Sequence, residues 1–190
     1  MAMARWQPDA RGRLCEAALE LFDEPGYDAT TVAEIAERAG LTKRTFFRYF
    51  SDKREALFDG SSLFEERMLA AVRAAPQHAT AFEAASTILD GGAEFFNAER
   101  HPFAVRRQRI IDATPELQER ELIKLSRLGV ELAAALRDRG VGEPAATLAA
   151  ETAIAVFRVT FTRWVHGRDP KAFKKLARAS LDELRAVAAA

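Results

Sequence analysis

Apolar residues recur along this chain at the three- and four-residue spacing of a helix face, and strand-like alternation is missing. Leu14, Cys15, Ala18, Leu19 and Phe22 open the pattern, and proline or glycine punctuates it. The first helix is expected from about Pro8 to Glu24, stopping at Pro25-Gly26. The second starts at Thr31-Val32-Ala33-Glu34, a capping-box pattern in which hydroxyl and carboxylate bond reciprocally to first-turn N–H groups. It ends at Gly40, where a left-handed residue closes a helix. Thr42 can cap a third helix, about Lys43–Phe50. Ser51 or Asp52 caps a fourth that runs to about Ala75, before Pro76, with the stripe Leu57, Ser61, Phe64, Met68, Val72. A fifth spans about Ala79–Asn97 (Phe82, Ala85, Leu89, Gly92, Phe96). A sixth starts at Pro102, and a seventh runs from Pro115 to near Gly140. An eighth covers about Pro144–His166, and a ninth opens at Asp169-Pro170 with the stripe Phe173, Leu176, Ser180, Leu184, Val187. The expectation is an all-α fold of about nine helices. A three-helix helix-turn-helix domain over residues 1–51 precedes a larger helical domain over 52–190.

The short turn at Gly40 joins the second and third helices as a helix-turn-helix, whose second helix enters the DNA major groove. At ~100° per residue, Lys43, Arg44, Phe47 and Arg48 share one arc of the third helix, and Phe46 and Phe50 lie opposite. Phe46 and Phe50 therefore anchor the helix to a core. Lys43, Arg44 and Arg48 are free to meet guanine edges or phosphates. Phe47 has two readings: contact with a thymine methyl, or packing on a neighbouring helix. Thr45 and Tyr49 lie at the edges of the arc, where hydroxyls reach phosphates. Lys53 adds charge at the start of the fourth helix. Thr30 and Thr31 are candidates for a phosphate at the start of the second, although Thr31 has a capping role available.

Composition narrows the choices. The chain has 190 residues, 48% of them hydrophobic, enough for a substantial core. Lys+Arg and Asp+Glu are equal at 28 each, so affinity for nucleic acid has to come from a local patch. The one cysteine, Cys15, has no internal disulfide partner and reads as a core residue of a reducing compartment. The N-terminal MAMARWQPDARGR lacks the apolar segment of a secretory signal. No uninterrupted apolar run approaches the ~18 residues of a membrane span. A cytoplasmic protein with no membrane partner is expected. No HExxH, Gly-rich phosphate loop or nucleophile elbow is present, so no catalytic residue, metal ligand or cofactor is expected and an enzyme is disfavoured. His78, His101 and His166 fall near expected helix ends, where surface or capping roles are ordinary. Gly91-Gly92 suits close helix packing or a kink better than a phosphate cradle.

The segment GYDATTVAEIAERAGLTKRTFFRYFSDKREALF, residues 26–58, closely resembles the DNA-binding signature of TetR-type transcriptional regulators. The resemblance implies an all-helical homodimer whose eighth and ninth helices pair in a four-helix interface. It implies that helices one to three bind double-stranded DNA at a pseudo-palindromic operator, and that helices four to seven enclose a ligand cavity. Family DNA contacts carry over onto Thr31, Lys43, Arg44, Thr45, Phe47, Arg48, Tyr49 and Lys53. The family often has Tyr where this chain has Phe47, which removes a hydroxyl from the reading face.

The apolar stripes supply Phe64, Met68, Phe96, Phe103, Ile110, Phe157, Phe161 and Trp164 as candidate cavity lining, with Arg107 among them. A solid core is the alternative for the same residues. Arg107 lies between Phe103, Ile110 and Ile111, where an unpaired cation would be costly. It needs an internal acid (Asp90, Glu94 or Glu99), an escape of its tip to solvent, or an anionic ligand. The segment HPFAVRRQRIIDATPELQERELIKL is similar to a branch of the family that senses acyl-CoA-like ligands; there Arg106, Arg107 or Arg109 would meet phosphates and the phenylalanines an acyl chain. The function expected is a ligand-responsive, sequence-specific regulator, most simply a repressor released from its operator by a small hydrophobic or amphipathic effector. The alternative is a constitutive DNA-binding or interaction module without a ligand.

Overall fold

The computed structural model describes residues 9–75 and 80–189. All regular structure among them is helical, in ten elements: α1 (Ala10–Asp23), α2 (Val32–Arg38), α3 (Lys43–Tyr49), α4 (Lys53–Leu57), α5 (Ser61–Ala74), α6 (Ala81–Ala93), α7 (His101–Asp112), α8 (Pro115–Asp138), α9 (Ala145–Val165) and α10 (Phe173–Ala189). Pro8, Pro76, His78 and Ala79, used above to bound or classify elements, lie outside the described residues.

Two compact units form. One runs through Gly60 and takes in Arg106–Leu117; the other comprises Ser61–Val105 and the chain from Gln118 onward. In the first unit α1 is the central element. Asp9 caps it by accepting from the Gly12 N–H at 2.7 Å, and it ends before Gly26, whose φ of 98° reverses the chain. Leu14, Ala18, Leu21 and Phe22 of α1 are buried with Ile35 and Ala36 of α2, Phe46 and Phe50 at α3, and Leu57 of α4. The α2 capping box forms as expected: the Glu34 N–H donates to Thr31 Oγ1, and the Thr31 N–H donates to the Glu34 carboxylate at 2.8 Å. Gly40 has φ 66°; its N–H bonds to the Glu37 carbonyl and that of Leu41 to Ala36, a closure that needs the left-handed residue.

The expected single fourth helix is corrected to two. α4 ends at Leu57 and α5 begins at Ser61, because Gly60 takes φ 85° and breaks the hydrogen-bond ladder. In the second unit α5, α6, α9 and α10 pack around one core containing Met68, Ile88, Phe157, Trp164 and Phe173, to which α8 adds Leu132. Gly91 and Gly92 act as packing glycines: a Cβ on Gly91 would lie 2.4 Å from the Ala71 Cβ, and one on Gly92 would lie 2.9 Å from the Phe64 ring. The Arg139 guanidinium donates to the Arg73 and Ala75 carbonyls, closing the end of α5. α6 ends at Ala93, earlier than Asn97. α10 starts at Phe173 rather than at Asp169-Pro170. Asp169 caps a single turn there, and the Pro170 carbonyl is taken by Trp164 Nε1 at 3.0 Å. α9 is long and apolar enough to cross a membrane by length and composition, and half of that stretch is buried inside the protein.

Candidate nucleic-acid interface

Thr42 starts α3 by accepting from the Thr45 N–H at 3.2 Å, and its hydroxyl shares a hydrogen bond with that of Thr45 at 3.0 Å. The helix is held from below. Phe46 is wholly buried and meets the Phe50 ring at 5.4 Å, and Arg11 of α1 lies over Phe50. The other face is open. Lys43, Arg44 and Arg48 are exposed, and Phe47 is 57% exposed while only its edge touches Phe46. An exposed aromatic ring on a cationic helix face has no role in the core of its own unit. Among the described residues, no ion pair or hydrogen bond engages the side chain of Lys43 or Arg44. Arg48 donates to the Tyr49 hydroxyl at 3.0 Å and stacks over its ring, so these two form a joint edge.

The other nominated residues divide. Thr31 is exposed and caps α2. Thr30 is buried, its hydroxyl donating to the Leu21 and Gly26 carbonyls, which removes it from any phosphate reading. The Lys53 ammonium donates to the Tyr27 carbonyl at 2.7 Å and the Thr30 carbonyl at 3.0 Å, and lies 4.1 Å from the centre of the Tyr27 ring. Nothing in the sequence marks this clamp, because its partners are 26 and 23 residues away.

Around it runs a charged network. Asp52 caps α4 and pairs with Arg54 at 2.9 Å; burial pushes its carboxyl up, and Arg54 with the local N–H groups outweighs that and holds it below the ordinary value. Arg54 also pairs with Glu116, which accepts from the Tyr27 hydroxyl at 3.3 Å. Burial, helped by the Glu116 charge, raises the Tyr27 phenol well above its usual range. Cys15 is buried as expected; burial, with Asp59 second, pushes its thiol far above ordinary values.

The arginines of α7 serve the same unit. Arg106 and Arg109 pair with Asp23 at the end of α1, at 3.5 and 2.5 Å. Arg107 donates to the Leu57 carbonyl at 3.2 Å and lies over the Phe58 ring. Of the acids nominated for Arg107, Asp90 faces Lys174 and Arg178, and Glu94 faces Arg67. The cavity candidates separate accordingly. Arg107 and the buried Ile110 fall in the first unit, and the remainder in the second, with Phe103 half-buried at the start of α7. Phe64, Phe96, Phe157, Phe161 and Trp164 pack ring on ring, and Phe173, unassigned to that set from sequence, stacks on Phe96 at 4.4 Å. Met68 and Trp164 have no exposed surface. An open depression of about 370 Å³ is lined by Phe96, Asn97, Ala98, Glu99 and Lys171.

A capped helix, a glycine-closed turn and a second helix anchored by aromatic rings with its cations outward define a helix-turn-helix unit joined to a helical domain. Residues 14–59 match the family described as bacterial regulatory proteins, tetR family. The chain is 34% identical over 115 residues to the HTH-type transcriptional regulator TcmR of Streptomyces glaucescens, which covers 56% of this chain and 50% of TcmR. It therefore spans about half the length of this curated relative, and less of the others. A TetR-family transcriptional regulator from Syntrophomonas wolfei shares the fold at TM-score 0.66 and 18% identity, over 96% of both chains. FadR from Bacillus subtilis does so at TM-score 0.52 and 23% identity, over 90% of this chain and 96% of its own. The family match thus covers the helix-turn-helix segment, and the chain as a whole shares the fold of these regulators.

Proposed function

We propose that this protein is a cytoplasmic, sequence-specific DNA-binding regulator that acts as a homodimer and is released from its operator by a small hydrophobic or amphipathic effector. The observation that carries the reading is the two-sided α3. Phe46 and Phe50 fasten one side, and Lys43, Arg44, Phe47 and Arg48 face outward without a core role. On this reading Lys43, Arg44 and Arg48 contact base edges and phosphates, Phe47 meets a thymine methyl, and Thr31, Thr45 and Tyr49 meet the backbone.

Dimerisation is assigned to α9 and α10. Leu148, Thr152, Ala155 and Val159 recur at alternating four- and three-residue spacing on the less buried side of α9, which suits a helix-on-helix seam. Such a dimer sets two recognition helices ~34–36 Å apart, one turn of duplex. Selection of bound duplexes from a randomised pool tests this. An inverted repeat with half-site centres about 10 base pairs apart is expected; a pool that stays unenriched contradicts it.

For the effector, the FadR with which the fold is shared was solved in complex with stearoyl-CoA. A matching region, 38% identical over 56 residues, occurs in the fatty acid metabolism regulator protein of Bacillus subtilis. An effector works only by binding the non-operator state more tightly. Stearoyl-CoA at saturation is expected to raise the melting temperature and weaken operator affinity; no change in either ends the acyl-CoA assignment. The second reading, a constitutive DNA-binding module, is favoured by the ring-on-ring packing of Phe64, Phe96, Phe157 and Trp164.

A further inference from the structure

Arg13, Ala17, Glu20 and Glu24 follow one another along a single flank of α1 and its cap, the flank that meets α2. At one end of it Arg38 of α2 pairs with Glu20 and Glu24. At the other end Arg13 lies against the turn that leads into α3: a Cβ on Gly40 would stand 3.8 Å from Arg13 Nη1. The Arg13 side chain is half-buried, and its Nε is buried with no hydrogen-bond partner.

The other described cations of this unit outside α3 are matched. Arg11 pairs with Asp59, Arg54 with Asp52 and Glu116, and Arg106 and Arg109 with Asp23. Arg107 and Lys53 donate to backbone carbonyls. Among the described residues, no acid or carbonyl meets the Arg13 guanidinium. Taking a guanidinium partly out of water with an orphaned N–H costs stability, and a buried polar atom left unpaired in a native protein calls for a reason.

The place supplies one. In a helix-turn-helix the first residues of the second helix reach the base edges. Gly40 precedes Lys43 by three residues, so a side chain lying against Gly40 stands at the lip of the groove, where phosphates run. A guanidinium offers five donors in a planar fork that matches a phosphate.

We propose that Arg13 contacts a DNA phosphate, extending the interface from α3 onto α1, and that the free protein carries this unpaired cation at a cost in stability that DNA relieves. The proposal rests on the DNA-binding reading above. It predicts opposite signs for two properties: removing the charge weakens DNA binding and does not weaken the fold.

The test titrates full-length wild type, Arg13→Met and Arg13→Lys with the selected duplex by fluorescence anisotropy across salt concentrations, and records the melting temperature of each free protein. Arg13→Met keeps the length of the stem and loses the charge. It is expected to bind about tenfold more weakly, the scale of hydrogen bonds made by a charged group. Its slope of log affinity against log salt is expected to be shallower by ~0.9, one phosphate left unneutralised. Its melting temperature is expected to equal or exceed that of wild type. Arg13→Lys is expected to keep the wild-type slope. Arg13→Gln carries the test if Arg13→Met does not fold. Wild-type affinity and slope in Arg13→Met overturn the proposal. So does weaker binding with an unchanged slope and a lower melting temperature, which marks a purely structural arginine. If wild type binds no duplex, the DNA reading fails and takes this proposal with it; if wild type binds and Arg13→Met matches it, this proposal fails alone.

Discussion

Phe46 and Phe47 are neighbours in sequence and opposites in environment: one has no exposed surface, the other is 57% exposed. Phe46→Ala is expected to cost about 3–5 kcal/mol of stability in denaturant unfolding, the range for emptying a packed aromatic site. Phe47→Ala is expected to leave stability within about 0.5 kcal/mol and to lower DNA affinity most at sites that carry thymine. Cys15 sits in the same core; with its thiol held protonated by burial and by Asp59, it is expected to resist alkylation in the native state at neutral pH and to react once unfolded. The α3 pair was readable from the sequence because 100° per residue alone separates the two rings. Lys53 was not, since its partners belong to a loop that folding brings back, and Thr30 looked like a surface hydroxyl until its two carbonyl partners were visible.

Elements were readable where a chemical signal marks their ends. Thr31 with Glu34, Gly40 and Thr42 each do the job their side chains predict. The break between α4 and α5 was hidden, because Leu57, Ser61, Phe64 and Met68 keep helical phase across it; only Gly60 betrays it. Caps also set a pH response. The Thr31 hydroxyl and then its N–H hold the Glu34 carboxyl below the ordinary value, and the Thr80 N–H and hydroxyl do the same for Glu83. The folded state then binds these protons less tightly than the unfolded chain. The capping contribution is present above the ordinary carboxylate range and is lost as pH falls through the lower folded-state values. Glu34→Gln is expected to flatten the acid side of the melting-temperature profile. At the α5–α6 contact, Gly91→Ala forces a methyl against Ala71 and the Arg67 carbonyl, and a loss of about 1–3 kcal/mol is expected in chemical unfolding.

At the scale of the molecule, sequence reading supplied the all-α class and the helix-turn-helix, but it could not tell an aromatic cavity from an aromatic core. The same phenylalanine spacing serves both, and the answer depends on how rings from α5, α6, α9 and α10 meet. The acyl-CoA resemblance offered Arg106, Arg107 or Arg109 to phosphates, whereas in the structure Arg106 and Arg109 meet Asp23 and Arg107 meets the Leu57 carbonyl and the Phe58 ring. Asp23→Asn is expected to weaken that attachment and to raise hydrogen exchange across residues 106–112. The central claim is that the outward face of α3 reads DNA. It is tested most directly by comparing wild type with the Lys43→Ala, Arg44→Ala, Arg48→Ala triple variant on the selected duplex over a range of salt concentrations, with folding checked by circular dichroism. The predicted result is an intact fold, affinity lower by orders of magnitude, and a salt slope reduced by ~0.9 for every phosphate these cations neutralise in the wild type. Unchanged affinity and slope in the folded triple variant would contradict it.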